Sequence, residues 1–489
     1  ENTSVSDVAT DEAVTNDKES NYSKMALGSW ASNNNPMEQW QARKAAIQYL
    51  NTFLSIVDQV SWAKNEVTNK MFIDKLSGEA YGLRALNYYY LLMAHGGWTE
   101  DGKLLGVPML LEPESTTSDF NQARAPFSEC VQQIFEDLEL ASELLPLDYE
   151  NIDSDAEVPA KYKEIGAQLG NYNLVFGTYQ RGRLTMRIVE AIKAQVALLA
   201  ASPAYREGSE VTSETAANYA AAVLNRIGGV TGLDPKGHTW YMNTEELDNL
   251  GSGEVSAEIL WRGNKSIGTE DWDMGIKQEK DNFPPTFYGS GRINPTQNLV
   301  DAFPMANGYP IADKANSGYS ENAPYTGRDP RLEKYILFNG AEFKDKTIIT
   351  GLYPDEDNKQ DNGLNQLNTS TRTGYYMRKL LREDCNANPN SLNAKYHIPV
   401  RIRYTEIFLA YAEAANAWGP TGKGGNAYSA YDVIKAIRVR GGVETDNGDA
   451  YLESVKGDKD KMAQLIRNER RIELCFENKR FWDIRRWKM

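Results

Sequence analysis

Apolar residues recur at helical spacing through two long stretches of the chain. Over residues 37–60 they are Trp40, Ile47, Leu50, Phe53, Leu54, Val57 and Val60. A second face, over 78–94, carries Ala85, Tyr89 and Leu92 and ends at Gly96-Gly97, a pair that stops a helix. These two segments are expected to form a helical hairpin. A second hairpin joins 126–145, with Pro126 near its start and Val131, Ile134, Leu138, Ala141 and Leu145 in period, to 184–201, with Ile188, Ile192, Val196 and Leu199. A short helix is expected at 214–227. Three more follow near the C-terminus, at 403–418, 428–440 and 460–480.

Helix–turn–helix pairs with aromatic and Ala contacts predict a mainly α fold whose hairpins stack in the tetratricopeptide manner, with an irregular period. Residues 231–395 differ: they are rich in Gly, Asn, Asp, Thr and Pro, with short strand-like runs at 258–261 and 346–349. A loop region of this length is functional or disordered, and its aromatics (Trp240, Tyr241, Trp272, Phe283, Phe287, Tyr288, Tyr375, Tyr376) argue against disorder. Residues 1–24 are polar and acidic without period, so 1–29 are expected to be a flexible tether. The remainder, 30–489, is expected to be one domain, with a helical scaffold at 30–230 and 396–489 and a ligand-binding loop region at 231–395.

Charge and composition narrow the functions. Lys+Arg 53 against Asp+Glu 68 leaves a net charge of −15, which repels polyanions, so nucleic acid is not expected as a partner. The three cysteines, Cys130, Cys385 and Cys475, have no disulfide or zinc spacing, and His95, His238 and His397 lie far apart. Neither a metal nor a cofactor is expected. No apolar run reaches the ~18 residues of a membrane span. The chain starts at Glu1, which implies that a preceding segment has been removed.

Familiar catalytic patterns fail on spacing. Gly419 to Gly425 contains Gly-Lys, but Gly424 follows Lys423 where a phosphate loop needs Ser or Thr, so an inter-helix turn is expected. Asp355, Asp357 and Asp361 suggest a calcium loop, yet Lys359 occupies a ligand position and a solvated loop fits better. Glu406 with Glu413, and Glu469 with Glu473 and Glu477, share helix faces and so offer the paired carboxylates a glycosidase needs, but Arg401, Arg403, Arg467, Arg470, Arg471 and Arg480 interleave with them. An ion-pair network fixing helix packing is expected there. Loop aromatics offer a different chemistry, because a flat ring covers the C–H face of a sugar while neighbouring polar groups bond its hydroxyls. Trp98 directly after Gly96-Gly97, Trp272 between Asp271 and Asp273, and Tyr288 in Phe287-Tyr288-Gly289 have that setting. Trp40, Trp261, Trp418 and Trp482 are expected in the core.

Several segments then carry a resemblance. The run Leu465-Ile-Arg-Asn-Glu-Arg-Arg-Ile-Glu-Leu-Cys-Phe-Glu-Asn-Lys-Arg-Phe-Trp-Asp-Ile-Arg-Arg-Trp487 resembles the C-terminal signature of the SusD/RagB family of Bacteroidetes surface glycan-binding lipoproteins. Pro399 to Glu406, Tyr411-Ala-Glu-Ala-Ala-Asn416 and Ala436-Ile-Arg-Val-Arg-Gly-Gly442 are similar to its preceding helix and turn. Asn298 to Gly308, Arg328-Asp-Pro-Arg331, Gly374 to Lys379 and Leu83 to Tyr90 match in family order.

The resemblance implies a SusD-like fold and a non-enzymatic protein that captures oligosaccharide for nutrient uptake and polysaccharide utilisation. It also implies a partner, a SusC-like TonB-dependent transporter, and a place at the outer-membrane surface, with membrane contact only through an N-terminal lipid. No cysteine precedes Cys130, so that anchor is inferred and lies outside this sequence. Trp98 sits where relatives often place a binding aromatic. The expected glycan contacts are Trp98, Trp272 and Tyr288 for stacking and Asp273, Asn282 and Arg292 for hydroxyls. The alternatives are a peptide-binding, RagB-like member of the same family and, further off, a glycoside hydrolase using Glu406 and Glu413.

Overall fold

In the computed structural model, residues 6–265, 275–351, 361–419, 426–443 and 448–489 are described. The apolar periods form helices α1 (Trp40–Leu54), α2 (Glu66–His95), α3 (Phe127–Leu144), α4 (Met186–Ala200) and α5 (Ser213–Asn225). Further along come α6 (Lys277–Asn282), α7 (Tyr404–Trp418), α8 (Ala430–Gly441), α9 (Lys459–Leu474) and α10 (Arg480–Trp487). Side-chain caps start several of them: Asn65, Thr185 and Thr212 each accept a backbone N–H three residues on, and Ser429 with Asp432 forms a reciprocal capping box. Neighbours stack in succession, α1 on α2, α2 on α3, α3 on α4, α4 on α5 and α5 on α7, with α8 and α9 on the far side of α7. Gly78 permits the tight α2–α3 crossing, since a Cβ there would stand 2.9 Å from the Leu144 Cβ. With 48% helix and 8% strand, the molecule is mainly α, as the periodicity predicts.

Three boundaries differ from the expected ones, the first being α1, which ends at Leu54 and leaves Val57 and Val60 outside the helix expected over 37–60. Helix α2 begins well before residue 78; its first turns bury Thr68, Asp74, Lys75 and Ser77 alongside Met71, so polar positions interrupt the apolar period there. The helix expected over 460–480 ends at Leu474, where left-handed backbone at Phe476 (φ 63°) and Asn478 (φ 58°) breaks it, and a separate helix, α10, starts at Arg480.

Strands are short: β1 (Ala13–Thr15), β2 (Gly97–Trp98), β3 (Leu104–Leu105), β4 (Ile259–Arg262), β5 (Ile293–Pro295), β6 (Ile336–Leu337), β7 (Ala341–Phe343), β8 (Lys346–Ile348), β9 (Tyr376–Met377) and β10 (Val400–Arg403). They pair as antiparallel two-stranded ribbons, β1 with β5, β2 with β3, β4 with β10, β6 with β9 and β7 with β8. One core fills the helical half, with Leu92, Ile134, Ile192, Leu224, Ile407 and Ile434 at its centre. A second, around Phe283, Phe303, Leu332, Tyr335 and Tyr376, lies under the loop-rich half and takes in Ile472, Cys475 and Phe476. Helix α9 therefore serves both cores.

The tether expected over residues 1–29 is corrected from Ser6 onward. Asp7 and Val8 are buried, β1 pairs with β5, and Met25 packs with Met37 and Phe481. The acids that resemble a solvated tail in the sequence meet arginines from the other end of the chain: Asp11 binds Arg471 at 3.0 Å and Arg480 at 2.8 Å, and Glu12 lies 3.4 Å from Arg471. Ser6 donates to the Asn478 side chain through both its N–H and its hydroxyl. Burial raises the carboxyls of Asp7 and Glu12 far above the usual range, with Asp7 adding to the rise at Glu12.

Buried ion pairs join the halves. Arg331, fully buried, binds Asp329 at 2.6 Å and Glu469 and Glu473 at 3.0 Å each. Arg438 binds Asp449 and Glu469, Arg403 binds Glu258 and Glu477, and Arg440 binds Glu473. A network is present as expected, but the signature's interleaved arginines do not serve these glutamates: Arg470 binds Asp483, and Arg471 and Arg480 bind Asp11. It reaches further than helix packing because Asp329, Arg331 and Glu258 come from the loop-rich half.

Candidate functional site

The expected glycan contacts divide into three groups. Trp98 lies in the β2–β3 hairpin with its side chain 43% exposed and its indole Nε1 donating to the Ala204 carbonyl at 2.8 Å. One polar edge is thus satisfied while the apolar ring remains open to solvent. Tyr288 is 56% exposed at the end of a short turn, in left-handed backbone (φ 63°) that costs a non-glycine residue energy and fixes its direction. Gly289 beside it is required, because a Cβ there would lie 2.0 Å from the Phe283 carbonyl. Arg292 is half-exposed and 3.7 Å from Asp17.

Asn282 is corrected. It is 3% exposed, its amide donates to the Gln278 carbonyl at 3.0 Å and its oxygen accepts the Ile293 N–H at 3.2 Å. Both ends are used to close the turn between α6 and β5, so it presents nothing to a ligand. Trp272 and Asp273 lie outside the described residues, as do Asp355, Asp357 and residues 420–425 of the inter-helix turn. The structure groups Tyr288, Asn282 and Arg292 on one turn, with the backbone N–H of Arg292 bonded to the Asp281 carbonyl. Trp98 belongs to the helical half.

Sequence reasoning places Trp261 in the core; the structure makes it a partition. It is half-buried in β4 under the guanidinium of Arg401, 5.0 Å from the ring centre, and it lines two cavities. The wider, about 670 Å³, is edged by Arg181, Arg187, Arg226, Glu254 and Tyr404. The smaller, about 330 Å³, is walled by Tyr89 and Tyr90 of α2, Gln195 of α4, Glu406 of α7, and Lys479 and Trp482 near α10. Trp98 is connected to its wall, because Ala204, which accepts from the indole, donates to the Arg486 carbonyl, and Arg486 lines the cavity. The strand alternation Val400-Arg-Ile-Arg403, which turns Arg401 outward and Ile402 inward, is the sequence signal for the stacked Arg401.

Fixed charges dominate the floor of the smaller cavity. Glu406 accepts from Gln195 at 2.9 Å and from Lys479 at 2.8 Å. Glu413, behind it, is paired with Arg486 through both carboxylate oxygens, and Trp487 Nε1 donates to it at 2.8 Å. Burial alone would raise Glu477, but Arg403 and Lys379 outweigh it and hold the carboxyl at about 2. Asp483 is likewise lowered, burial being overcome by Arg470 and Arg486. Glu477 and Asp483 therefore stay ionised and have no proton to donate at neutral pH. The Arg470 Nη1 is buried without a hydrogen-bond partner beside the cavity. Rings at the rim and fixed donors and acceptors below suit a neutral polyhydroxyl ligand.

Fold and site define a helical-hairpin scaffold that carries one anchored, exposed ring, Trp98, and a loop-rich half that carries another exposed ring, Tyr288. The family model described as the SusD family matches residues 257–489, and one described as starch-binding associating with outer membrane matches residues 1–162. The chain belongs to the SusD/RagB family. No curated protein matches it. Among solved structures it is similar to a SusD-like protein from Bacteroides fragilis, at 24% identity and TM-score 0.67, over 99% of this chain and 82% of that one. A SusD-like carbohydrate-binding protein from the same species aligns at 18% identity and TM-score 0.65, over 99% and 80% of the two chains. Surface glycan-binding protein A from Bacteroides fluxus aligns at 17% identity and TM-score 0.57, over 99% and 82%. Among the described residues no helix is long and apolar enough to cross a membrane.

Proposed function

We propose that this protein is a non-enzymatic, cell-surface glycan-binding subunit that captures oligosaccharides and delivers them to a SusC-like TonB-dependent outer-membrane transporter, held at the membrane by a lipid upstream of this sequence. Family membership supports the binding role, and two of the similar structures carry names that describe carbohydrate or glycan binding. The observation that carries the reading is Trp98: a ring left open to solvent while its indole N–H is tied to the Ala204 carbonyl. Such a ring is ordered before the ligand arrives, so stacking a sugar on it costs little further side-chain entropy. Tyr288 and Trp272 are the other stacking residues of the proposal, with Asp273 and Arg292 as hydroxyl partners.

Affinity gels containing plant and host glycans, followed by calorimetry on the glycan retained, test it. Binding without new reducing ends is expected. Trp98→Ala should weaken binding about fivefold, the equivalent of roughly 1 kcal/mol for one stacked ring. Affinity unchanged in a folded Trp98→Ala variant removes Trp98 from the site. No retention on any glycan removes the sugar reading in favour of peptide.

A further inference from the structure

Glu279 of α6 meets Cys385 and His397 of the segment 382–397, and one donor atom of each lies within 4.8 Å of the other two. The Glu279 carboxylate is fully buried. Its Oε1 accepts the Arg382 backbone N–H at 2.8 Å and stands 3.0 Å from His397 Nε2. Its Oε2 is buried without a hydrogen-bond partner. His397 Nδ1 lies 3.0 Å from the Lys395 carbonyl, a group that only accepts, so the proton of the neutral ring belongs on Nδ1. Nε2 then turns a lone pair toward a carboxylate oxygen that also carries only lone pairs. Two acceptors at this distance need a cation between them.

A proton shared by the pair would meet that need, but it would leave Glu279 Oε2 unsatisfied and make no use of the Cys385 sulfur beside it. A divalent metal accounts for all three. One nitrogen, one oxygen and one sulfur donor make a set that suits Zn²⁺, and Oε2, the carboxylate oxygen left without a partner, is the one free to bind it. The charges also close: Zn²⁺ with a carboxylate and a thiolate sums to zero, so no net charge is left in the buried pocket. The hydrogen bond from Nδ1 to a backbone carbonyl is the usual outer support of a metal-binding histidine. The His397 side chain is 16% exposed, which leaves one side for entry of the ion and for a water as fourth ligand.

We propose that Glu279, Cys385 and His397 form a Zn²⁺ site that fastens α6 to the segment 382–397. Binding displaces the Cys385 thiol proton, and any proton shared by Glu279 and His397, to solvent.

The test uses the full, untagged chain stripped with chelator and titrated with Co²⁺ as a coloured substitute for Zn²⁺. A thiolate-to-cobalt charge-transfer band in the near ultraviolet should grow to saturation at one equivalent, and Zn²⁺ should abolish it and raise Tm. Cys385→Ser should lose the band, Cys130→Ser should keep it, and His397→Gln should bind Co²⁺ about tenfold more weakly or worse. A folded parent chain that gives no charge-transfer band overturns the site, as does a band that survives in Cys385→Ser. The parent titration decides the matter by itself if a variant does not fold.

Discussion

Asn282 and Trp98 illustrate what separates a structural polar group from a binding one. Every hydrogen-bonding atom that Asn282 spends is spent inside its own turn, on Gln278 and Ile293. Asn282→Ala should therefore lower stability by about 1–3 kcal/mol, the cost of orphaning a buried backbone N–H, while glycan affinity of the folded protein stays within about twofold. Denaturant unfolding alongside calorimetry checks it; lost affinity with unchanged stability would return Asn282 to the site. Trp98 spends only its N–H and keeps its ring. Sequence can mark an aromatic in a loop as exposed, as it does for Trp98 and Tyr288, because that follows from local context. It does not show where an amide points, nor that Trp261, read as core, is shared by two cavities, since both depend on β10 pairing with β4 from far along the chain.

At the level of elements, the helices were legible wherever apolar residues recur in an unbroken period, as in α3, α4, α5 and α7. The first turns of α2 were not, because they bury Asp74 and Lys75, whose ammonium lies 3.3 Å from Glu79 and 3.1 Å from Gln180. Long-range charge pairing hid the N-terminal segment in the same way, its acids being complements of Arg471 and Arg480 rather than solvated groups. The same chemistry sets the consequence of breaking the buried network. Arg331→Met leaves Asp329, Glu469 and Glu473 short of a cation where water cannot replace it, and should cost roughly 3–5 kcal/mol. Urea unfolding measures this, and a loss below about 1 kcal/mol would mean that Arg438 and Arg440 suffice.

For the whole molecule, two sets of carboxyls pull stability in opposite directions with pH. Glu477 is held at about 2 in the folded chain, below its ordinary 4.5, so its contribution is present above that value and is lost as pH falls through it toward 2. Asp7 and Glu12, raised by burial to about 7 and about 8, bind protons more tightly when folded. Their contribution is complete below the ordinary carboxylate range and is lost as pH rises through 7 to 8. Tm measured against pH should thus peak on the acid side of neutrality and decline both ways, and Glu12→Gln should flatten the alkaline decline. A Tm that climbs steadily to pH 8 would contradict the burial of the pair. The paired strand that brings these acids inside also has a mechanical meaning. Tension on the chain ahead of Ser6 is taken up first by the Ser6–Asn478 hydrogen bonds and the pairs of Asp11 with Arg471 and Arg480, so α9 and α10 carry it before the β1–β5 ladder does. Asn16, one residue beyond β1, donates to the carbonyls of Ser290 and Gly291, so a pull that passes those contacts and β1 arrives next at the turn that holds Tyr288.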